Sequence, residues 1–202
     1  MPAGDLTVSQ LLARVESQPG TLPVSAATEL LGAIIQAVAA CHAREGAPFH
    51  GAITAERVIL AADGSVRLTG EGAARDLQAL ALNRERLWRE HGVALPPSAS
   101  LPRFDQRADV TQVGVLGVAL LLRRPLEACD YPRAIEDLLL QATSDPGSSA
   151  LRLWLQQALQ LRARGNFTSA VEAARHYAEL PLAPGWSFRS RRLIGRMACL
   201  GL

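Results

Sequence analysis

The chain of 202 residues is 49% hydrophobic but only 4% aromatic, so its core must be built mainly from aliphatic side chains. All 21 basic residues are arginines, which excludes chemistry that needs a lysine amine and indicates a GC-rich, bacterial genome. A formal net charge of +2, spread along the chain, argues against a nucleic-acid-binding surface.

The cysteines and the apolar runs bound the class of protein further. Cys41, Cys129 and Cys199 are scattered and form no CxxC pair. This favours neither a disulfide framework nor a zinc site, and we expect no metal and no cofactor. The N-terminal residues lack the regions of a secretion signal, and no stretch reaches the ~18 consecutive apolar residues of a membrane span. The expected location is the cytoplasm.

Two helices are predicted at the start of the chain. Thr7 and Gln10 have the spacing of a capping box ahead of an apolar face, which predicts a short first helix. A longer apolar run at helical spacing, with Ser25 as N-cap, predicts a buried central helix. Near its end Cys41 is expected in the core and His42 at the surface, because adjacent residues point to different faces of a helix.

The period of the pattern then changes to that of strands. The segments ERVIL and SVRLT flank AADG, which predicts a single β-hairpin. Helical spacing returns from Arg75 to Gly92 and predicts one amphipathic helix, followed by an irregular Pro-rich connection over residues 93–107.

The rest of the chain is predicted to be helical. Residues 110–122 are apolar on nearly all sides, which indicates a buried helix whose two glycines let neighbours approach closely. Three more helices are expected within residues 131–142, 148–163 and 168–180, the last with capping-box spacing between Ser169 and Glu172. The expected fold is therefore mainly α with one small β-hairpin. Residues 1–180 form the domain, and residues 181–202 form a basic and apolar C-terminal tail.

One loop motif points to a known family. The segment HGAITAER, followed by the apolar VIL, resembles the catalytic loop of protein kinases, H-R-D-L-K-P-E-N followed by a strand. His50 and Glu56 match that motif. Ala52, Thr54 and Arg57 stand where the family has its catalytic aspartate, its lysine and its metal-binding asparagine.

A second motif follows the hairpin. The triplet GEG falls where the family has its metal-binding D-F-G, so Gly70 replaces the aspartate, Glu71 replaces the phenylalanine, and only Gly72 is retained. Phosphoryl transfer in that family depends on carboxylates that position the hydroxyl and hold magnesium. The resemblance therefore implies that the catalytic and metal-binding positions are lost.

The resemblance extends from about Leu6 to Leu180. The helix that starts RADVTQVGVLG is similar to the central helix of the kinase C-terminal lobe, and Asp109 matches the aspartate that braces the catalytic loop. His50, Glu56 and Gly72 would also be structural. Only MPAGD precedes the first helix, so we expect no N-terminal lobe. The resemblance implies an isolated, catalytically dead C-terminal lobe, a pseudokinase.

A binding function is expected from these losses: a scaffold or adaptor that docks another protein, with no phosphoryl transfer and no ATP binding. The surface that an N-terminal lobe would cover is expected to expose apolar groups, which is typical of an interaction site. Trp88 and Trp154 are in phase with apolar stripes and are expected in the core. The candidate partner-binding residues lie near the hairpin, on the helix after it and in the tail: Leu60, Leu68, Glu71, Arg84, Trp88, Trp186, Phe188, Arg191 and Arg192.

Two other classes stay open. The tail SFRSRRLIGRMACLGL, with arginines before an apolar end, suits an anionic lipid surface, which would make the chain a membrane-peripheral or assembly subunit. The other class is an enzyme of altered chemistry that uses His50 and Glu71. A dinucleotide site at Gly70 and Gly72 is disfavoured, because Arg75 stands at the third glycine position.

Overall fold

The computed structural model describes residues 4–18, 20–45, 49–97 and 101–181. Over these residues the chain is mainly helical, with a small antiparallel sheet, so the expected coarse fold class is confirmed. The predictions for Trp186, Phe188, Arg191 and Arg192 lie outside the described residues.

The described elements comprise helices and three short strands. The strands are β1 (Leu6–Thr7), β2 (Val58–Leu60) and β3 (Val66–Leu68). The helices are α1 (Val8–Ser17), α2 (Val24–His42), α3 (Ala73–Ala79), α4 (Arg84–His91), α5 (Gln106–Leu122), α6 (Ile135–Ala142), α7 (Ser149–Ala158) and α8 (Ala170–Ala178). A 3₁₀ turn, Pro146–Ser148, precedes α7.

The sheet is larger than the hairpin that the sequence predicts. Strands β2 and β3 form the expected hairpin, and β1 adds a third antiparallel strand at the β2 edge, with Leu6 opposite Leu60. Asp5 extends this pairing, because its Oδ1 accepts a hydrogen bond of 3.1 Å from the backbone N–H of Ala62. Strand β1 has only two residues, too few for any alternation to show in the sequence. The capping box of Thr7 and α1 follows it directly, as predicted.

The core forms where α2 and α8 pack against α5. Helix α5 is buried along almost its whole length, as its all-round apolar sequence predicts. Its glycines allow this packing: a Cβ on Gly117 would lie 2.9 Å from Cδ2 of Leu155 and from Cδ2 of Leu31. The axes of α5, α2 and α7 can therefore approach more closely than any larger residue would permit.

The segment predicted as one helix between Arg75 and Gly92 is two helices. The Asn83 side chain accepts a hydrogen bond of 2.9 Å from the N–H of Arg86 and so caps α4. Just before it, Ala81 has a φ of 48°, in the left-handed region that ends a helix. The single-helix prediction was wrong because the apolar spacing continues across a break that the Asn83 cap introduces.

Helix α2 starts earlier than predicted, and its apolar composition is typical both of membrane-spanning helices and of buried core helices. It begins at Val24 with Pro23 as N-cap, so the prediction of Ser25 as N-cap was wrong. Among the described residues it alone has the length and the mean hydropathy, 1.6, of a helix that could cross a membrane. The central helix of a packed domain meets the same criteria. In α2, 56% of the 18-residue stretch with this hydropathy is buried inside the fold.

We expect Gly117→Ala to lower the free energy of unfolding by about 1–3 kcal/mol, because the added methyl group overpacks the contact with Leu31 and Leu155. Urea denaturation checks this. Gly147→Ala is the matched control, since a Cβ at Gly147 meets no atom within 4 Å. Equal stabilities for the two variants would contradict the packing described for α5.

Candidate functional site

A buried carboxylate organises the loop that carries the kinase-like motif. Asp109, in the first turn of α5, is 0% exposed. Its Oδ2 accepts a hydrogen bond from the backbone N–H of His50 at 2.6 Å, and its Oδ1 accepts one from Gly51 at 2.5 Å. Both oxygens are therefore used to hold the start of residues 50–57, called here the braced loop.

The third partner of this carboxylate is His42, at the C-terminal end of α2. Its Nε2 lies 2.8 Å from Oδ2 of Asp109, and its Nδ1 accepts a hydrogen bond of 3.2 Å from the N–H of Ala170. Because Nδ1 is an acceptor, the ring hydrogen is on Nε2 and is donated to Asp109. The His42 side chain is 1% exposed, so the prediction that it lies at the surface was wrong. The first turns of α5 and α8 cover it, and the spacing of residues around His42 in the sequence does not predict that contact.

Gln112 holds the next part of the loop. Its Oε1 accepts a hydrogen bond of 2.5 Å from the N–H of Ile53, and its Nε2 donates one of 3.3 Å to the carbonyl of Gly51. The sequence analysis missed this residue. A signal was present, because Asp109 and Gln112 are polar, stand three residues apart at the start of the largely apolar part of the helix, and so lie on the same face.

The positions that differ from the kinase motif are turned inward or packed together. Ala52 is 0% exposed and Thr54 is 5% exposed, so neither side chain reaches solvent freely. Arg57 is half-buried, and its carbonyl accepts hydrogen bonds from the N–H and the Oγ1 of Thr69 at 2.9 and 3.1 Å. Its side chain lies against Gly70, where an added Cβ would be 3.1 Å from Cδ of Arg57. Glu56 is exposed.

The remaining two motif residues have different environments. The ring of His50 is covered, with 3% of the residue exposed, and its Nδ1 lies 3.4 Å from the N–H of Ala52. Burial lowers the pKa of His50 below its ordinary value. Glu71 is exposed and pairs with Arg44 at 2.7 Å, and the hydrogen bond from that guanidinium lowers the pKa of Glu71. The ring of His50 is thus covered by the fold, and the hypothesis of an enzyme that uses His50 and Glu71 stays a prediction.

The apolar surface expected beside the hairpin is not found among the described residues. Leu60 is 2% exposed, so the prediction that it contacts a partner was wrong, and Leu68 is half-buried. Strand β1 and helix α1 cover β2 from the chain's own N-terminal side. The large apolar side chains that are exposed lie elsewhere: Val24, Leu80, Leu101, Leu140, Leu153 and Val171.

A cavity of about 470 Å³ opens beside the braced loop, and we call it the groove. Its walls come from Ile53–Arg57 of the loop, the C-terminal half of α4, the middle of α5 and residues 125–128. Trp88 stands at the wall, half-buried rather than fully in the core as expected. Its Nε1 donates a hydrogen bond of 3.1 Å to the carbonyl of Glu127, and its ring centroid lies 5.5 Å from that of Tyr131.

The arginines of α4 are engaged within the chain. Arg84 donates from Nε to the carbonyl of Pro96 at 2.9 Å. Arg86 binds the Glu90 carboxylate through two hydrogen bonds of 2.8 and 3.1 Å, and Arg89 reaches the same carboxylate at 3.3 Å. The half-buried Arg84 side chain therefore holds the loop that contains Pro96.

Comparisons with known proteins do not identify the chain. No protein-family model matches it, and no curated protein is significantly similar to it in sequence. Within the described residues, no group of three or more His, Cys, Asp or Glu side chains is arranged to hold a metal ion.

We expect Asp109→Ala to lower the free energy of unfolding by roughly 3 kcal/mol or more, because it leaves two buried backbone N–H groups unpaired at about 1–3 kcal/mol each. Thermal and urea unfolding measure the loss. Asp137→Ala, on the exposed face of α6, is the control and should change the value by no more than about 0.5 kcal/mol. A mild effect at Asp109 would show that the loop is held by other contacts.

We expect the protein to lose stability as the pH falls below 6.5, the ordinary pKa of histidine, through His50. The unfolded chain takes up a proton there at a pH where the folded chain does not, so the unfolded state is favoured as pH decreases. Asp109, Glu71 and Arg57 act electrostatically on the same ring. His50→Asn keeps an acceptor near Nδ1 and removes the titration.

Unfolding free energies of the wild type and His50→Asn, measured from about pH 8 to about pH 5, check this prediction. The wild-type curve should fall more steeply than the variant curve below pH 6.5. Parallel curves would show that His50 does not contribute to the pH dependence.

Proposed function

We propose that this chain is a non-catalytic protein-binding scaffold or adaptor, built on a degenerate lobe that resembles the C-terminal lobe of protein kinases. In this proposal it neither transfers phosphoryl groups nor binds ATP. Its biological activity is the docking of another protein.

The observation that carries the proposal is the use of the polar groups around the braced loop. The Asp109 carboxylate and the Gln112 amide both form hydrogen bonds with backbone groups of that loop. Ala52 and Thr54, at the positions that resemble the reactive ones, are buried. The arrangement supports a rigid backbone, and a rigid loop is a suitable platform for a partner.

The groove is the surface that the proposal assigns to the partner. It combines the half-buried aromatic ring of Trp88 with the partly buried Leu126 and the charged side chains of Glu56 and Arg89. Aromatic anchors within a polar rim are typical of the residues that dominate protein interfaces. We therefore expect a partner that presents an apolar side chain flanked by charges of both signs.

Cross-linking of the tagged full chain in its native host, followed by mass spectrometry, tests the proposal. Ala128→Arg places a long charged side chain at the mouth of the groove, and Ala62→Arg makes the same change at the exposed hairpin turn. A stoichiometric partner cross-linked near the groove, and lost with Ala128→Arg but not with Ala62→Arg, is the expected result.

Other results would redirect or end the proposal. Loss of the cross-linked partner with Ala62→Arg alone would place the contact at the hairpin turn. Recovery from the detergent fraction, abolished by Arg191→Glu with Arg192→Glu, would favour the membrane-peripheral alternative. Recovery of the chain without any stoichiometric partner would contradict the adaptor function.

We expect no change in thermal unfolding on addition of ATP and magnesium, because ligands that bind only the folded state raise its apparent stability and this proposal includes no such site for ATP. Differential scanning fluorimetry measures the shift. A reproducible increase, or transfer of the γ-phosphate of labelled ATP to any acceptor, would contradict a non-catalytic function.

A further inference from the structure

A second cavity, of about 320 Å³, lies apart from the groove and shares none of its lining residues. We call it the arginine pocket. It lies where α4 and α5 both begin, and the loop between α7 and α8 closes one side. Its basic lining side chains are Arg84, Arg103 and Arg107.

Two of these arginines are available to a ligand. Arg103 and Arg107 are exposed, and neither guanidinium group has a hydrogen bond or ion pair with another described residue. Arg84 is half-buried and donates to the carbonyls of Pro96 and Leu101, which positions its guanidinium at the pocket wall. The pocket thus has one anchored cation and two that can turn toward a bound group.

The acidic group at the pocket is already engaged. Asp105 lines the cavity, but its Oδ1 accepts a hydrogen bond of 3.0 Å from the N–H of Ala108 and so caps α5. The amide of Gln160 donates to the carbonyls of Gln157 and Phe167. The lining therefore carries three guanidinium groups and one carboxylate, so positive charge is in excess.

The helices add to the positive potential. Arg84 is the first residue of α4, and Arg107 is the second residue of α5. The N-terminal end of a helix carries a partial positive charge that stabilises anions within about one turn. The end of α4, capped by the neutral Asn83, acts in the same direction as the three arginines, whereas the end of α5 is already capped by the Asp105 carboxylate.

We propose that the arginine pocket binds an oxyanion of the phosphate class, either free phosphate or the phosphate group of a small phosphomonoester. Guanidinium groups match phosphate oxygens in geometry and form charge-assisted hydrogen bonds with them. The volume suits a small ligand rather than a folded chain. The inference is independent of the proposed function, because the groove and the pocket are lined by different residues.

A ¹H–¹⁵N NMR titration of the full chain tests this inference. The probes are inorganic phosphate and O-phosphoserine, with sodium chloride at the same ionic strength as reference. We expect saturable shifts confined to the backbone amides of Arg84 and of residues 103–108. Tighter binding of O-phosphoserine would identify a phosphomonoester as the preferred form, and equal binding would identify the phosphate group alone as the recognised feature.

The matched variants are Arg103→Gln with Arg107→Gln in the pocket, and Arg75→Gln as control. Arg75 is exposed on α3, outside the pocket lining. Removing the charge-assisted hydrogen bonds of two arginines should weaken phosphate binding about tenfold or more, while Arg75→Gln leaves it unchanged. Unchanged thermal unfolding of the double variant shows that its fold is intact.

Three results would overturn the inference. They are the absence of saturable shifts with either probe, shifts spread over exposed arginines throughout the surface, and equal weakening of binding by the control and the double variant. Each would show that the arginines attract anions only through general surface charge.

Discussion

A buried carboxylate is costly in a folded protein unless donors fill its lone pairs, and the structure around Asp109 meets this requirement with groups from separate parts of the chain. The backbone of the braced loop contributes two N–H groups, and His42 contributes its ring Nε2–H. Ala170 in turn orients the His42 ring. One side chain of α5 thereby connects the loop, the end of α2 and the start of α8.

The surfaces proposed for binding depend on this network in different ways. The groove is bordered by the braced loop, so its shape follows from the contacts of Asp109 and Gln112 with the loop backbone. The arginine pocket lies at the N-terminal end of the same helix, where Asp105 caps α5 four residues before Asp109. Helix α5 thus contributes to the inner network, to a wall of the groove with its middle and to a wall of the arginine pocket with its start.

The polar groups inside the network hold the backbone of the braced loop. Burial lowers the pKa of His50, and Asp109 accepts hydrogen bonds from two backbone N–H groups and from the His42 ring. The charged groups that reach solvent are at the rims, where Glu71 pairs with Arg44 and where Arg103 and Arg107 border the pocket. Polar groups that hold the backbone therefore lie inside the fold, and charged groups lie at its rims.

The sequence by itself determined the elements that depend on near neighbours: the capping box of Thr7 and Gln10, the β2–β3 hairpin and the buried α5. These follow from spacings of two to four residues, which a linear pattern contains. The resemblance also singled out Asp109, and its contact with the loop is present, whereas membership of the kinase family stays a prediction. The tertiary structure alone decided that His42 is buried, that Leu60 is covered by β1, and that Gln112 holds Ile53. Those contacts join residues about 50 to 130 positions apart, and their free energy depends on which surfaces close over one another, which no local spacing encodes.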